Sequence, residues 1–186
     1  MVIAPLLGPN LAFAFGSALG DLALMRQAAM TNLSGILITL FIGVILGVFW
    51  PEPFTNGEVV GRTQVGFGDI VLALASGAAA VLSLTTGLSS ALVGVMVAVA
   101  LMPPAVTLGM MLGGQAYDHA YGAALLLATN IVCVNLAAQL VFAAKQLGPR
   151  TSLQKMVSRQ TVIVNIAVWV VLLAGLAALM GWRMEA

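Results

Sequence analysis

The sequence predicts an all-α integral membrane protein, folded as a bundle of six membrane-spanning helices. Of its 186 residues, 61% are hydrophobic and 7% are charged, whereas an ordinary soluble domain carries about 25% charged residues. Seven basic and six acidic side chains give a net charge of +1. This balance excludes a strongly basic nucleic-acid-binding protein and a charged disordered chain. The single cysteine, Cys133, excludes a disulfide framework.

Charged residues separate long apolar runs, and each run is long enough for at least one span. A helix needs about 20 apolar residues to cross the hydrocarbon core of a bilayer. Residues 70–117 lack Asp, Glu, Lys and Arg over a stretch that must fold back on itself, and we expect its turn at the polar residues 85–90. We expect one transmembrane domain over residues 1–186. Its predicted spans are residues 1–20, 27–50, 68–86, 88–113, 118–144 and 160–182.

The basic residues predict the orientation of the bundle. Four of the seven lie in the 145–159 connection between the last two spans. Because cytoplasmic loops are enriched in Lys and Arg, we expect this loop on the cytoplasmic side of the inner membrane of a cell. Alternation of the spans then puts Arg26 inside as well and leaves Arg62 and Arg183 outside.

An offset of 98 positions aligns two parts of the chain as a weak internal repeat. It places Pro5 on Pro103 and Thr31–Asn32 on Thr129–Asn130. Each unit would contain three spans, and an odd number inverts the second unit relative to the first, as in many secondary transporters. One and a half helices precede the second copy and have no counterpart before the first copy. We therefore expect a chain shortened at its N-terminus, the remainder of a seven-span protein.

Several short segments are similar, in the same order along the chain, to those of a known family. They are residues 4–10, 18–21, 76–79, 87–94, 100–104, 129–130 and 135–138, the first of which reads Ala-Pro-Leu-Leu-Gly-Pro-Asn. They resemble a bacterial and archaeal membrane family known only as an uncharacterised hydrophobic domain of unknown function. The resemblance implies a polytopic fold with a cytoplasmic N-terminus, preceded by a soluble region and a helix that this sequence lacks. It implies no activity and no catalytic residue.

Prolines predict interruptions in two helices. A proline removes an amide donor and clashes with the carbonyl four residues earlier, which frees backbone carbonyls. Inside a membrane such groups persist only within protein or beside a water-filled cavity. Pro5 and Pro9 in the first span, and Pro103 and Pro104 in the fourth, therefore favour two discontinuous helices that bind an ion or a small polar solute. The alternative is a kink that serves only the packing of helices.

Amide and hydroxyl side chains in the apolar helices are the second group of candidates. They are Asn10, Thr31, Asn32, Thr129, Asn130 and Asn135. The two Thr-Asn pairs would line a polar path from both repeats. Equally, such side chains often serve as interhelical hydrogen bonds, each contributing about 1 kcal/mol. Gln139 and Asn165 are further candidates of the same kind.

Three aspartates, Asp21, Asp69 and Asp118, lie at the ends of predicted spans. A carboxylate within the membrane is a proton or cation site by default, whereas one at a helix end is hydrated at the interface. His119 and Cys133 are single and cannot build a zinc site, and neither a catalytic triad nor a carboxylate pair is visible. We therefore expect that the protein is not an enzyme and that it binds neither a cofactor nor a metal ion.

Three Gly-x-x-x-Gly motifs, which begin at Gly16, Gly43 and Gly109, predict close helix contacts within or between subunits. Together these features predict a channel or secondary transporter for a small ion or polar solute. Its surroundings would be the lipid bilayer and further copies of itself in a homo-oligomer, with no nucleic-acid partner. The alternative is a non-transporting scaffold, or a sensor or anchor module for a soluble domain.

Overall fold

The computed structural model of the protein describes residues 6–49, 57–86, 90–145 and 152–185. All regular elements within these ranges are helices, and no strand occurs in them, so the all-α prediction is confirmed. The helices are α1 Leu7–Leu19, α2 Leu22–Phe49, α3 Gly57–Gly61, α4 Phe67–Thr86, α5 Ser90–Gly113, α6 Tyr117–Ala144 and α7 Ser152–Glu185.

Four segments of the described chain are long and apolar enough to cross a membrane: α2, α4, α6 and residues Ser158–Arg183 of α7. The 28 residues of α2 rise about 42 Å at 1.5 Å per residue. Leu7–Leu19 and Ala100–Gly113 are apolar but shorter. The 13 residues of α1 reach only about 20 Å, less than the span predicted over residues 1–20, of which residues 1–5 lie outside the described ranges.

The last helix begins earlier than the sequence analysis predicts. Residues 145–159 were expected as a basic loop, but α7 already begins at Ser152. Residues 152–159 contain no glycine or proline, and Leu, Gln, Lys, Met and Arg favour helices. Much of the predicted loop is therefore the first two turns of α7.

Helix α6 is the centre of the bundle. It packs against α1, α4, α5 and α7, and most of its residues are buried. Helix α2 lies further out, against α1 and α5. Large apolar side chains on α2 and α7 point away from the protein, including Phe41, 66% exposed, and Val171, 69% exposed. A continuous exposed apolar face of this kind is what a lipid or protein partner would cover.

Two of the Gly-x-x-x-Gly motifs face each other where α2 meets α5. A Cβ atom on Gly43 would lie 3.0 Å from the Cα atom of Gly109, and one on Gly47 would lie 2.8 Å from the Cα atom of Met110. Real Cβ atoms essentially never approach backbone so closely, so a larger residue at either position requires the two helices to shift. The motifs predicted to give close helix contacts therefore make one within this chain.

The glycine contact predicts a large effect of side-chain size on stability. Gly109→Leu forces α5 away from α2, and overpacking of this kind typically costs 1–3 kcal/mol, so we expect destabilisation of at least about that size. The measurement is thermal unfolding of the purified protein in detergent. Gly175→Leu is the matched control, since a Cβ atom there meets nothing within 4 Å. Equal melting temperatures for the two variants would contradict the α2–α5 contact.

Candidate functional site

Three asparagines from three helices meet in the interior of the bundle. Asn10 of α1 directs its Nδ2 to the carbonyl oxygen of Leu6 at 2.7 Å. Its Oδ1 then accepts two hydrogen bonds, from Asn32 Nδ2 of α2 at 3.0 Å and from Asn135 Nδ2 of α6 at 2.6 Å. We call Asn10, Asn32 and Asn135 the asparagine cluster. Its hydrogen bonds tie α1, α2 and α6 together at one point.

The hydrogen-bond pattern leaves two oxygens of the cluster without partners. Because the carbonyl of Leu6 can only accept, Asn10 must turn its own oxygen toward the other two residues. Asn32 and Asn135 each donate from Nδ2 to this oxygen, and Asn135 Nδ2 also donates to the Ile131 carbonyl at 2.9 Å. Asn32 Oδ1 and Asn135 Oδ1 are consequently buried with no hydrogen-bond partner. Each such group costs about 1–3 kcal/mol, which calls for an explanation.

A cavity of about 210 Å³ lies beside the cluster and is open on the side where Leu33, 53% exposed, lines its rim. Besides the three asparagines, it is lined by Phe13, Ala28, Ala29, Leu33, Ile36, Ile131 and Trp169. None of these side chains is ionisable. Trp169 Nε1 is also buried without a hydrogen-bond partner. The cavity is therefore uncharged and mostly apolar, with a few polar atoms that have unused hydrogen-bonding capacity.

Trp169 was missed by the sequence analysis. Its ring lies edge-on to that of Phe13, with centroids 5.9 Å apart, so this side chain of α7 packs against α1. Its position in the sequence carried a usable signal. Tryptophans prefer the membrane–water interface, and Trp50 and Trp182 end their predicted spans, whereas Trp169 lies in the middle of one.

The predicted interruptions at proline have different outcomes in the two helices. Pro5 lies outside the described residues. Pro9 lies in the first turn of α1, where a missing N–H costs nothing because the first amides of a helix have no intrahelical acceptor. Helix α5 runs through Pro103 and Pro104 without interruption, so the predicted break in this helix is wrong.

Asn130 satisfies one of the two carbonyls that the adjacent prolines leave free in α5. In a regular helix, the carbonyl of Ala100 would bind the N–H of residue 104, but Pro104 has none. Asn130 Nδ2 of α6 donates to this carbonyl instead, at 2.6 Å. Asn130 thus satisfies the freed backbone group of the neighbouring helix and does not join the asparagine cluster.

The two threonines are not brought together with the cluster. Thr31 is exposed, and its hydroxyl donates to the Gln27 carbonyl of its own helix at 2.9 Å. Thr129 is fully buried and lies 3.8 Å from the sulfur of Met180. Of the two predicted Thr-Asn pairs, only Asn32 lines the cavity.

The three aspartates lie at the N-terminal ends of helices. Asp21 Oδ1 accepts the N–H of Leu24 at 3.0 Å and caps α2. Asp69 Oδ2 accepts the N–H of Gly66 at 2.8 Å in front of α4. Asp118 lies in the first turn of α6. Negative charge is favourable at each of these positions, since the helix dipole is positive there.

One end of the bundle gathers the connection before α4 with the ends of α6 and α7. Thr63 Oγ1 lies 3.1 Å from His119 Nδ1, and Arg183 Nη2 donates to the Asp118 carbonyl at 3.1 Å. Within the described ranges, no group of three His, Cys, Asp or Glu side chains lies together in a way that holds a metal ion.

Comparison with known proteins places these features in a family. Residues 1–136 match the family described as "Domain of unknown function (DUF389)". The chain is 31% identical over 172 residues to an uncharacterized protein of Methanocaldococcus jannaschii, and the aligned part covers 92% of this chain and 54% of that protein. The chain therefore spans about half the length of this relative. No solved structure matches the chain.

The bond from Asn130 predicts a specific rescue. Asn130→Leu leaves the Ala100 carbonyl unpaired, and we expect a loss of about 1–2 kcal/mol in the free energy of unfolding. Adding Pro104→Ala supplies a main-chain N–H four residues after Ala100 and restores most of this loss. The measurement is a double-mutant cycle from unfolding in detergent micelles. If the double variant is no more stable than Asn130→Leu alone, the hydrogen bond does not have this role.

Proposed function

Because the chain belongs to the DUF389 family, which brings no established activity, we propose from the site itself that it is a channel or secondary transporter, not an enzyme. Its substrate is a small ion or polar solute that passes through the asparagine cluster. One observation supports this most: amides from three helices converge on a cavity and leave two buried oxygens unpartnered. Pockets with a few convergent polar groups in an apolar lining are typical of ligand sites.

The position of the cluster along the bundle supports transport. Asn135 lies 18 residues after the start of α6, about 27 Å along an axis of about 42 Å. The cluster is thus well inside the bundle, away from both ends of α6. Secondary transporters commonly bind their substrates near the middle of the membrane.

The proposed architecture has six spans, formed by α1, α2 and α4–α7, as part of a two-repeat arrangement of inverted three-helix units. The described helices support the offset of 98 positions, since adding 98 to the bounds of α2 gives 120–147, close to α6. Exposed apolar faces on α2 and α7 are then available to lipid and to further copies of the chain in a homo-oligomer.

The proposed location is the inner membrane of a cell, with the start of α7 on the cytoplasmic side. Ser158 Oγ donates to the Ala18 carbonyl, and Gly20 packs against Ser158. The turn before Arg26 therefore lies at the same end as the first turns of α7, which include Lys155 and Arg159. Arg183 lies beside Asp118 at the other end. The excess of basic residues at the first end favours this orientation.

A non-transporting anchor or sensor module is the second candidate. It is favoured by the hydrogen bonds within the cluster, because the single side chain of Asn10 in α1 accepts hydrogen bonds from both α2 and α6. Polar contacts of this kind are common where membrane helices only pack. In that case the cavity takes up no substrate, and the difference between the two candidates is measurable as flux.

Flux through liposomes tests the transport proposal. We expect the purified protein to move at least one of a panel of cations, anions and small metabolites faster than empty vesicles. Asn32→Leu removes one of the two unpartnered oxygens, and we expect about a tenfold or larger loss of that flux. Thr31→Val is the matched control one residue earlier, on the exposed side of α2, and keeps wild-type flux. A wild type no leakier than empty vesicles would favour the anchor or sensor module.

Cysteine labelling tests the orientation. Cys133 is fully buried in α6 and gives an unreactive background for membrane-impermeant maleimides. We expect Gln64→Cys to be labelled in intact cells and Ser152→Cys to be labelled only after the cells are opened. Labelling of Ser152→Cys in intact cells would reverse the proposed orientation.

A further inference from the structure

We propose that the substrate is a small uncharged solute that both donates and accepts hydrogen bonds, and that it moves from the asparagine cluster to Gln139, one turn further along α6. This inference rests on the proposed transport function and specifies its substrate class and the next residue on its path. Two independent observations support it: the set of unused polar atoms around the cavity and the state of the Gln139 side chain.

The unused polar atoms around the cavity include both acceptors and a donor. Asn32 Oδ1 and Asn135 Oδ1 can only accept hydrogen bonds, and Trp169 Nε1 can only donate one. A metal cation would be attracted by the two oxygens but repelled by the N–H group. An anion would find one donor and two repelling oxygens. A solute with two N–H or O–H donors and one acceptor oxygen offers each of these three atoms a partner of the matching kind.

The lining supplies no charge to balance an ion. All ten residues around the cavity are uncharged, and a buried ion is expensive unless an opposite charge pairs with it. An amide, a urea-like molecule or a small polyol needs no such pairing. The cavity volume of about 210 Å³ suits a solute of a few non-hydrogen atoms, since a water molecule takes about 30 Å³ in the liquid.

Gln139 is the buried polar side chain of α6 that has no structural explanation. It is only 1% exposed, and neither its Nε2 nor its Oε1 has a hydrogen-bond partner. It follows Asn135 by four residues, so both side chains lie on the same face of α6, about 6 Å apart along the axis. A primary amide with both groups unused offers a solute one acceptor and two donor hydrogens.

The face of α6 that carries Asn135 and Gln139 continues to the level at which α1 ends. Helices α1 and α6 run side by side in the same direction, because Asn10 contacts Asn135 and the rings of Phe15 and Phe142 are 5.6 Å apart. Gln139 therefore lies between these two levels.

Further polar groups continue beyond Gln139. Ser17 is fully buried two turns after Asn10, and Asn165 Nδ2 of α7 lies 3.2 Å from its hydroxyl. The next polar contact is that of Ser158 with the Ala18 carbonyl. Polar side chains thus occur at successive levels between the cavity and the end of the bundle that carries Gly20, and Gln139 is the first of them.

Stopped-flow light scattering of liposomes under gradients of urea, acetamide and glycerol tests the substrate class, with fluorescent readouts of Na⁺, K⁺ and Cl⁻ in parallel. We expect the wild type to admit at least one uncharged probe about tenfold or more faster than empty vesicles, and to leave the ion fluxes at the background. Ion flux that Asn32→Leu abolishes, with none of the three uncharged probes transported, would overturn this inference and leave the transport proposal standing. Flux of neither kind would overturn both.

Gln139→Met tests the path. Methionine has a similar length and volume but no hydrogen-bonding groups, so it removes a buried unpaired amide without a cavity. We expect a melting temperature equal to or above that of the wild type, together with about a tenfold or larger loss of uncharged-solute flux. Leu140→Met, at the neighbouring exposed position, is the control and changes neither. Unchanged flux in Gln139→Met, or a lower melting temperature, would overturn the assignment of Gln139 to the path.

Discussion

The structure depends on one constraint: in an apolar bundle, every polar group must find its partner inside the protein. Helix α6 supplies hydrogen-bond donors to polar groups of its neighbouring helices. Asn130 donates a hydrogen bond to the Ala100 carbonyl of α5, and Asn135 donates one to the side chain of Asn10 in α1. The same helix is in contact with α1, α4, α5 and α7, and its two amides fix the levels at which α1 and α5 lie against it. Among the described residues, the buried polar side-chain atoms without partners belong to residues that line one cavity and to Gln139, apart from Nη1 of Arg183.

Small residues make the arrangement possible. The amide side chains are short, so their hydrogen bonds form only if the helix axes come close. Gly43 and Gly109 allow this between α2 and α5, and Gly77 allows it between α4 and α6, where a Cβ atom would lie 2.8 Å from the Cα atom of Val134. Close packing at glycine thus joins α2 to α5 and α4 to α6, whereas amide hydrogen bonds join α1 to α2 and α6, and α5 to α6. Both kinds of contact are typical of helix association in a medium without a hydrophobic driving force between helices.

The sequence predicts the helices well and their contacts poorly. Spans follow from local apolar runs, and four of the predicted ones, those near α2, α4, α5 and α6, begin and end within five residues of the described helices. Asn10 and Asn32 were recognised as unusual residues, but no local pattern shows that they meet Asn135, 125 residues later in the case of Asn10. The break expected at Pro103 and Pro104 is absent, and the carbonyl that Pro104 leaves free is satisfied by a distant amide. Gln139 was a minor candidate, since its lack of a partner is visible only in three dimensions.

The contact between Asn130 and the Ala100 carbonyl has an evolutionary consequence. It makes the side chain at position 130 valuable only while position 104 cannot donate its own N–H. Selection therefore acts on the two positions as a pair: a chain that loses the proline is released from keeping the asparagine, whereas one that loses the asparagine first carries an unsatisfied carbonyl. Substitutions should accordingly enter a lineage in one order, proline first, and the two sites should covary between relatives although they lie on different helices.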